Sequence, residues 1–90
     1  MSRMEYRIEF RSSALKEILS LSKQEQDKLR SSIDNLAHEP RPTGCRKLKG
    51  FNGLFRIRIG DLRIIYEVSD SAKVVKIIKV GNRGDIYKNL

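Results

Sequence analysis

Three arginines in the second half of the sequence are spaced so that they could bind one anion. The segment LFRIRIGDLRI carries Arg56, Arg58 and Arg63 on either side of Gly60-Asp61, and a Gly-X pair between two apolar segments favours a two-residue hairpin turn. In that register Arg58 pairs directly with Arg63, and Arg56 lies on the same face of the sheet. Guanidinium groups stay protonated and hold phosphate oxygens in a bidentate geometry. The cluster therefore predicts binding of a phosphate group, with electrostatic stabilisation of a transferring phosphoryl group as the leading chemical contribution.

The predicted cluster is not balanced by acidic residues. Directly opposed like charges cost a sheet roughly 0.2–1 kcal/mol, and Glu67, the nearest acid expected on this face, lies far along the strand opposite Leu54. A bound anion explains such a cluster better than solubility does. The alternative is a solvated outer face with splayed side chains, because water screens surface charge.

The C-terminal tail adds one more candidate pair, Arg83 and Tyr87. A tyrosine ring can stack on a nucleobase, an interaction worth roughly 1–3 kcal/mol, and nearby guanidinium groups favour its phenolate form. The alternative interpretation is that Tyr87 packs on the sheet.

Other catalytic chemistries have little support. One Cys and one His are too few for a zinc site of the usual kind. No paired carboxylates accompany the basic strands, which argues against a metal-dependent nuclease. We therefore expect neither a metal nor a cofactor.

The positive charge is concentrated in the middle of the chain. The formal net charge is +8 for 90 residues, yet residues 1–40 carry seven basic and seven acidic side chains, whereas residues 41–63 carry seven basic and one acidic. A field of this kind attracts a polyanion, either a nucleic acid or an acidic protein.

The elements that must position these groups follow the order βααβββ. Alternation in residues 6–10 predicts a strand, and Ser12 or Ser13 can cap a helix. Ser22 and Glu25 form a capping box for a second helix. The expected apolar faces of the two helices are Leu15, Ile18 and Leu19, and Leu29, Ile33, Leu36 and Ala37.

Three further strands are predicted at Leu54–Ile59, Leu62–Val68 and Lys73–Val80. The last of them, KVVKIIKV, is apolar on both faces, so its inward face is not defined by the pattern. The sequence thus predicts one α+β domain over residues 1–90, an antiparallel sheet with the helical hairpin packed on one face.

This order of elements, together with four segments, resembles the RelE/ParE superfamily of bacterial toxin–antitoxin toxins. The segments are RKLKG at 46–50, LFRIRI at 54–59, LRIIY at 62–66 and VGNR at 80–83. The C-terminal Arg and Tyr of the endonuclease branch are matched by Arg83 and Tyr87. The resemblance covers nearly the whole chain.

The resemblance implies an mRNA interferase that cleaves mRNA in the ribosomal A site, where the 2′-hydroxyl attacks the adjacent phosphate and the 5′-oxygen leaves. It implies that Arg56 and Arg58 occupy positions often held by lysine, that Arg63 stabilises the phosphorane, that Arg83 lies by the leaving oxygen, and that Tyr87 orients or stacks the substrate. Because arginine essentially never loses its proton, the base would be the phenolate of Tyr87 or a ribosomal group.

The resemblance also implies partners. We expect an acidic antitoxin encoded by the neighbouring gene, the ribosome and mRNA, with contact to DNA only through the toxin–antitoxin complex. Arg46, Lys47 and Lys49 are the expected RNA- or ribosome-binding residues. The sequence has no apolar run long enough for a membrane span and no signal-peptide block, so a cytoplasmic location without membrane contact is expected.

Two other functions remain open. The gyrase-poisoning branch of the same superfamily keeps the fold without being a nuclease, although it generally lacks the nuclease residues. A non-catalytic RNA- or DNA-binding module would share the basic segment. Sequence-specific DNA binding is less favoured, because both helices lie in the charge-neutral part of the chain.

Overall fold

The computed structural model describes residues 5–82 and Ile86. Two helices are followed by most of a five-stranded sheet, in the predicted order, with a short extra strand before the hairpin. The elements are β1 (Arg7–Phe10), α1 (Ser12–Leu19), α2 (Lys23–His38), β2 (Arg46–Lys47), β3 (Leu54–Ile59), β4 (Leu62–Ser69) and β5 (Val74–Asn82). The predicted α+β class is confirmed.

The strands lie in the order β1-β5-β4-β3-β2. Three of the four pairings are antiparallel, as expected, whereas β1 and β5 run parallel, with Arg7 paired to Val74 and Phe10 to Ile77. The sheet is therefore mixed and not wholly antiparallel. The reason is topological, since the first strand lies beside the last one and the chain between them crosses over through the helical hairpin.

Helix α1 differs from its prediction at its start and on its apolar face. Its N-cap is Arg11, in an extended conformation without a side-chain cap, and neither Ser12 nor Ser13 caps it. The backbone N–H of Arg11 donates to Ile77 O at 2.9 Å, so the chain stays in the sheet until the residue at which the helix begins. Ala14 is fully buried, while Leu19 is 74% exposed. The buried stripe is thus rotated from the predicted one.

Helix α2 agrees with its prediction. Ser22 Oγ accepts from the Glu25 N–H and Glu25 Oε1 accepts from the Ser22 N–H, both at 3.2 Å, which completes the capping box. The helix ends at His38, two residues before Pro40, because a residue preceding proline is disfavoured in helical conformation. Leu29, Ile33 and Leu36 are buried against the sheet.

A β-bulge in β5 explains why its inward face could not be read from the sequence. Ile65 pairs with Lys79 but Tyr66 pairs with Ile77, so one residue of β5 is skipped. Val75 and Ile77 face the helices before the bulge, and Val80 does so after it. An inserted residue reverses the alternation of the strand, which makes both faces look apolar.

The main core lies between the helices and one face of the sheet. Its buried members are Ala14, Leu29, Ile33, Leu36, Leu62, Ile64, Tyr66, Val75, Ile77 and Val80. The ring of Tyr66 stacks on Phe55 with centroids 5.9 Å apart, and its hydroxyl donates to Pro40 O at 2.7 Å. Burial raises the pKa of Tyr66 well above its ordinary value, so this hydroxyl stays a donor that holds the end of α2 on the sheet.

A polar cluster at the edge of the core joins three distant segments. Asp70 accepts from the Tyr6 hydroxyl at 2.6 Å and from Arg41 Nη2 at 2.9 Å, and the Arg41 guanidinium lies 5.2 Å from the centre of the Phe55 ring. The hydrogen bonds from Arg41 and Tyr6 hold the pKa of Asp70 below its ordinary value of 3.8. Arg41 is therefore engaged in the fold, although it belongs to the basic segment. None of the helices in the described residues has the length and apolar character to cross a membrane.

Candidate functional site

The β3–β4 hairpin has the register predicted from its turn. Gly60 has φ +60°, a conformation that favours glycine, and Ile59 pairs with Leu62, so the chain reverses within two residues. Arg58 consequently pairs directly with Arg63. Arg56, two residues before Arg58 on the same strand, lies on the same face as both.

A fourth arginine extends this group across the next strand. Arg46 of β2 pairs directly with Arg56, which in turn pairs with Ile65. The four arginines, Arg46, Arg56, Arg58 and Arg63, thus lie on the sheet face away from the helices, and we call this surface the arginine face. The sequence prediction had placed Arg46 with the RNA-binding lysines, because the two-residue strand β2 was too short to be detected with its register.

The members of the arginine face differ in exposure. Arg63 is only 9% exposed, Arg56 is half-buried and Arg58 is exposed. Arg63 pairs across β4–β5 with Gly81, which has no side chain to crowd it, and a Cβ at Gly81 would lie 4.0 Å from Ile86 Cδ1. The Arg63 side chain is therefore nearly buried, whereas Arg58 reaches into solvent.

Arg58 and Arg63 line a polar hollow at the turn. Its volume is about 450 Å³ and its other lining residues are Gly60, Asp61 and Asn82. Among residues 5–82, no carboxylate lies within 4.0 Å of the guanidinium nitrogens of Arg58 or Arg63. Two adjacent cations without an acidic partner in the described chain, beside an open hollow, suit a doubly hydrogen-bonded anion such as a phosphodiester.

The rest of the same sheet face is balanced in charge. Further along β4, Glu67 pairs with Lys76, which pairs in turn with Glu9 of β1. Apart from Lys79 of β5, which pairs with Ile65, the excess of positive charge is thus confined to the part of the face formed by β2, β3 and the turn-proximal part of β4. This confinement is what an anion-binding surface requires.

One basic residue on this side of the sheet was missed by the sequence interpretation. Lys79 pairs with Ile65, and paired residues share a face, so Lys79 lies on the same side as the arginine face. The bulge beside it conceals its orientation, and no signal in the sequence pattern alone would have revealed it.

Lys47 and Lys49 lie apart from the arginine face. Lys47 pairs with Phe55, whose ring packs on the core, so its position in β2 faces the opposite side from Arg46. Lys49 follows in the loop after β2, and both lysines line a separate hollow of about 600 Å³ with Phe51. The two remaining predicted residues, Arg83 and Tyr87, lie outside the described residues.

The described chain offers little for a metal ion. Within residues 5–82 and Ile86, no three His, Cys, Asp or Glu side chains come together as possible ligands. Cys45 is half-buried and forms no disulfide in that part of the chain. The guanidinium groups of the arginine face can stabilise negative charge on a bound anion.

Comparison with known proteins gives a consistent family. The family described as "ParE toxin of type II toxin-antitoxin system, parDE" matches residues 8–87. A chain of Methanocaldococcus jannaschii, named as a RelE1 toxin, is 29% identical over 89 residues, covering 96% of this chain and 99% of that one.

Solved structures agree with this fold. RelE in the archaeal RelE–RelB complex of Pyrococcus horikoshii is 35% identical, with a TM-score of 0.79 over 89% of this chain and 97% of that chain. The isolated RelE toxin of Escherichia coli is 29% identical, with a TM-score of 0.76 over 86% and 83% of the two chains.

Proposed function

The chain belongs to the RelE/ParE family of type II toxin–antitoxin toxins, and from that premise we propose that it is a ribosome-dependent mRNA endoribonuclease. The observation that supports this proposal most directly is the Arg58–Arg63 pair, which lines an open hollow without a carboxylate partner in residues 5–82. An exposed guanidinium group beside a nearly buried one, both lining the same hollow, is suited to bind the phosphodiester that is cleaved.

The proposed reaction is an intramolecular transesterification. The 2′-oxygen of the A-site nucleotide forms a bond to phosphorus while the bond from phosphorus to the 5′-oxygen breaks. The 2′-hydroxyl gives up its proton to the base and the 5′-oxygen takes one from water, which leaves a 2′,3′-cyclic phosphate and a 5′-hydroxyl. Negative charge grows on the equatorial oxygens of phosphorus in the transition state, and positioned cations at those oxygens lower the barrier.

The arginine face supplies these cations. Arg63, nearly buried and paired with Gly81, is proposed to stabilise the phosphorane. Arg58 and Arg56 are proposed to bind the flanking phosphate oxygens. None of the three can act as a base, because guanidinium groups stay protonated.

Proton transfer is assigned to groups beyond the arginine face. We propose that Arg83 donates a hydrogen bond to the leaving 5′-oxygen and that Tyr87 orients or stacks the substrate. The base is either the phenolate of Tyr87 or a ribosomal group that positions the RNA. Either base agrees with weak activity on free RNA.

The second candidate function is inhibition of DNA gyrase. It is favoured by the family match over residues 8–87, which is to a ParE toxin. In that case the arginine face would bind a different polyanion or an acidic protein surface, and no RNA would be cut.

We further propose that a cognate acidic antitoxin neutralises this protein in the cytoplasm. The solved structures that resemble the chain include complexes of RelE with RelB, from Pyrococcus horikoshii and from Escherichia coli. The arginine face offers such an antitoxin a surface of opposite charge. Contact with DNA would occur only through the toxin–antitoxin complex.

Induced expression separates the two functions. With translation ongoing, mapping of RNA ends and toe-printing on ribosomes should reveal cuts within codons positioned in the A site. Purified gyrase assayed in parallel should keep its supercoiling activity. Altered supercoiling without RNA cuts would assign the chain to the gyrase-inhibiting branch.

A further inference from the structure

The loop between β2 and β3 presents an aromatic ring to solvent. In this loop, residues 48–53, Phe51 is 42% exposed and Asn52 is also exposed. The loop is closed at its base by the Leu48 N–H, which donates to Leu54 O at 2.9 Å. Gly50 and Gly53 have φ values of +81° and +77°, which a residue with a side chain rarely adopts. The loop is thus built as a tight, closed structure that carries Phe51 outwards.

Phe51 differs in its surroundings from Phe55, four residues away. The ring of Phe55 is stacked on Tyr66 and lies under the guanidinium of Arg41, so its role is structural. Within the described residues, no aromatic ring or cationic group stacks on Phe51. An aromatic side chain that is 42% exposed, with no ring or cation stacked on it in the described residues, is available to bind a ligand.

The surroundings of Phe51 are positively charged. Lys47 and Lys49 line the same hollow of about 600 Å³, and no acidic residue lines it. No carboxylate of residues 5–82 lies within 4.0 Å of either ammonium group. An aromatic ring beside two cations is the combination that binds single-stranded nucleic acid, because bases stack on the ring while the cations contact phosphates.

We infer that Phe51 is a second RNA contact, on which one unpaired nucleobase stacks while Lys47 and Lys49 bind the adjoining phosphates. The inference rests on the proposed function, since it takes RNA to be the polyanion. An acidic protein segment would form ion pairs with the two lysines but would gain less from contact with an exposed aromatic ring.

The position of the loop gives it a role in binding and not in cleavage. Leu54, at the loop end of β3, and Arg58 are four residues apart, which corresponds to about 13 Å along an extended strand. The Phe51 loop therefore contacts a different nucleotide from the phosphodiester bound by Arg58 and Arg63. Loss of the ring should raise KM or Kd and leave kcat unchanged.

The test uses the fact that the chain contains no tryptophan. In Phe51→Trp the new indole is a unique fluorophore whose emission is quenched when a base stacks on it. One probe is a single-stranded 2′-O-methyl oligoribonucleotide, which cannot undergo attack by its 2′-oxygen, and the other is the vacant 70S ribosome. Quenching by the oligonucleotide assigns the contact to mRNA, and quenching by the ribosome alone assigns it to ribosomal RNA. The matched control is Phe10→Trp, at an exposed phenylalanine on β1, where no quenching is expected.

A binding measurement completes the test. Phe51→Ala should weaken binding of the quenching probe by about 5- to 150-fold, from the usual contribution of base–aromatic stacking, and Phe10→Ala should leave it unchanged. Equal affinity of Phe51→Ala and wild type for both probes would overturn the inference. Quenching by an antitoxin but by neither RNA would overturn it too, and would assign the loop to a protein interface.

The two proposals can fail separately. If the wild-type protein cuts no mRNA on ribosomes but RNA still quenches Phe51→Trp, the nuclease function is wrong and the RNA contact stands. If cleavage occurs and no quenching is seen with either RNA, the nuclease function stands and the inference about Phe51 is wrong.

Discussion

Arg58 and Arg63 are direct partners across the β3–β4 ladder, and neither is paired with a carboxylate of residues 5–82. Like charges at directly opposed positions of a sheet are unfavourable. An anion bound to both guanidinium groups would explain why this unfavourable pairing is present. Binding of that anion replaces repulsion between two guanidinium groups by two sets of charge-assisted hydrogen bonds.

The first prediction concerns Arg63. Arg63→Ala should abolish growth arrest and lower the rate of mRNA cleavage by about 10²- to 10³-fold, the usual effect of removing one group that stabilises charge in a transition state. Arg63→Lys, which keeps a charge and most of the stem, should recover only part of the rate because the bidentate geometry is lost.

The control for Arg63 is Arg7→Ala, at an exposed arginine paired with Glu9 on β1, which should remain toxic. Circular dichroism should confirm that both variants fold, since Arg63 is nearly buried. Full toxicity of a folded Arg63→Ala protein would remove Arg63 from the mechanism.

The second prediction is a trade-off between stability and activity at Arg58. Arg58→Glu places an acid opposite Arg63 and should stabilise the fold by roughly 0.2–1 kcal/mol, a rise in Tm of about 1–8 °C for a domain of this size. The same variant should lose activity, because the hollow would repel phosphate. Arg58→Gln removes the repulsion without adding attraction. Its Tm should therefore lie between the Tm of wild type and that of Arg58→Glu. A lower Tm for Arg58→Glu than for wild type would show that the pair is not under electrostatic repulsion.

The features that could be predicted from the sequence are those that adjacent residues determine. The hairpin register follows from Gly60-Asp61, and the start of α2 follows from Ser22 and Glu25, because turns and caps are set by adjacent residues. The bulge in β5 and the parallel pairing of β1 with β5 depend on contacts between distant segments, so alternation alone could not define them.

Two further features required the tertiary structure. The ion pair of Arg41 with Asp70 joins residues 29 apart in the chain, so Arg41 could not be separated from the other basic residues by composition. The apolar pattern predicts Leu19 on the buried side of α1, whereas the structure exposes it, because a helix of eight residues offers too few turns to orient its apolar stripe. The roles of Arg83 and Tyr87 stay predictions.

The third prediction is the salt dependence of RNA binding. If the four residues of the arginine face, Arg46, Arg56, Arg58 and Arg63, each contact a phosphate, log Kobs should fall with log[salt] with a slope of about −3 for single-stranded RNA. Arg46→Ala should reduce the magnitude of that slope by about 0.7. The matched control is Arg7→Ala, which should leave the slope unchanged. A slope near zero for wild type would contradict binding through phosphates.

The fourth prediction concerns pH and the Tyr6–Asp70–Arg41 cluster. Arg41 and Tyr6 lower the pKa of Asp70 below 3.8, and Asp70 raises the pKa of Tyr6 above 10.0. A lowered carboxyl pKa contributes stability that is present above 3.8 and is lost as the pH falls through the folded value. A raised tyrosine pKa contributes stability that is present below 10.0 and is lost as the pH rises through the folded value.

Asp70→Asn should therefore lower the urea midpoint of unfolding at neutral pH. The difference in urea midpoint between this variant and wild type should become smaller below pH 3.8 and above pH 10.0. The control is Asp27→Asn, at an exposed carboxylate of α2 that forms no ion pair with the described residues. If the difference in urea midpoint between Asp70→Asn and wild type is the same at every pH, the titration of Asp70 and Tyr6 does not affect the stability of the fold.

We propose that the arginine face stabilises attack by a 2′-oxygen on a phosphodiester of ribosome-bound mRNA. The most direct measurement is single-turnover cleavage of a defined mRNA on programmed ribosomes, with and without a single 2′-O-methyl group at the nucleotide that is cut. We expect a product with a 2′,3′-cyclic phosphate for the unmodified message and no cleavage of the methylated one. Equal cleavage of both messages, or no cleavage of either by a protein that still arrests growth, would contradict it.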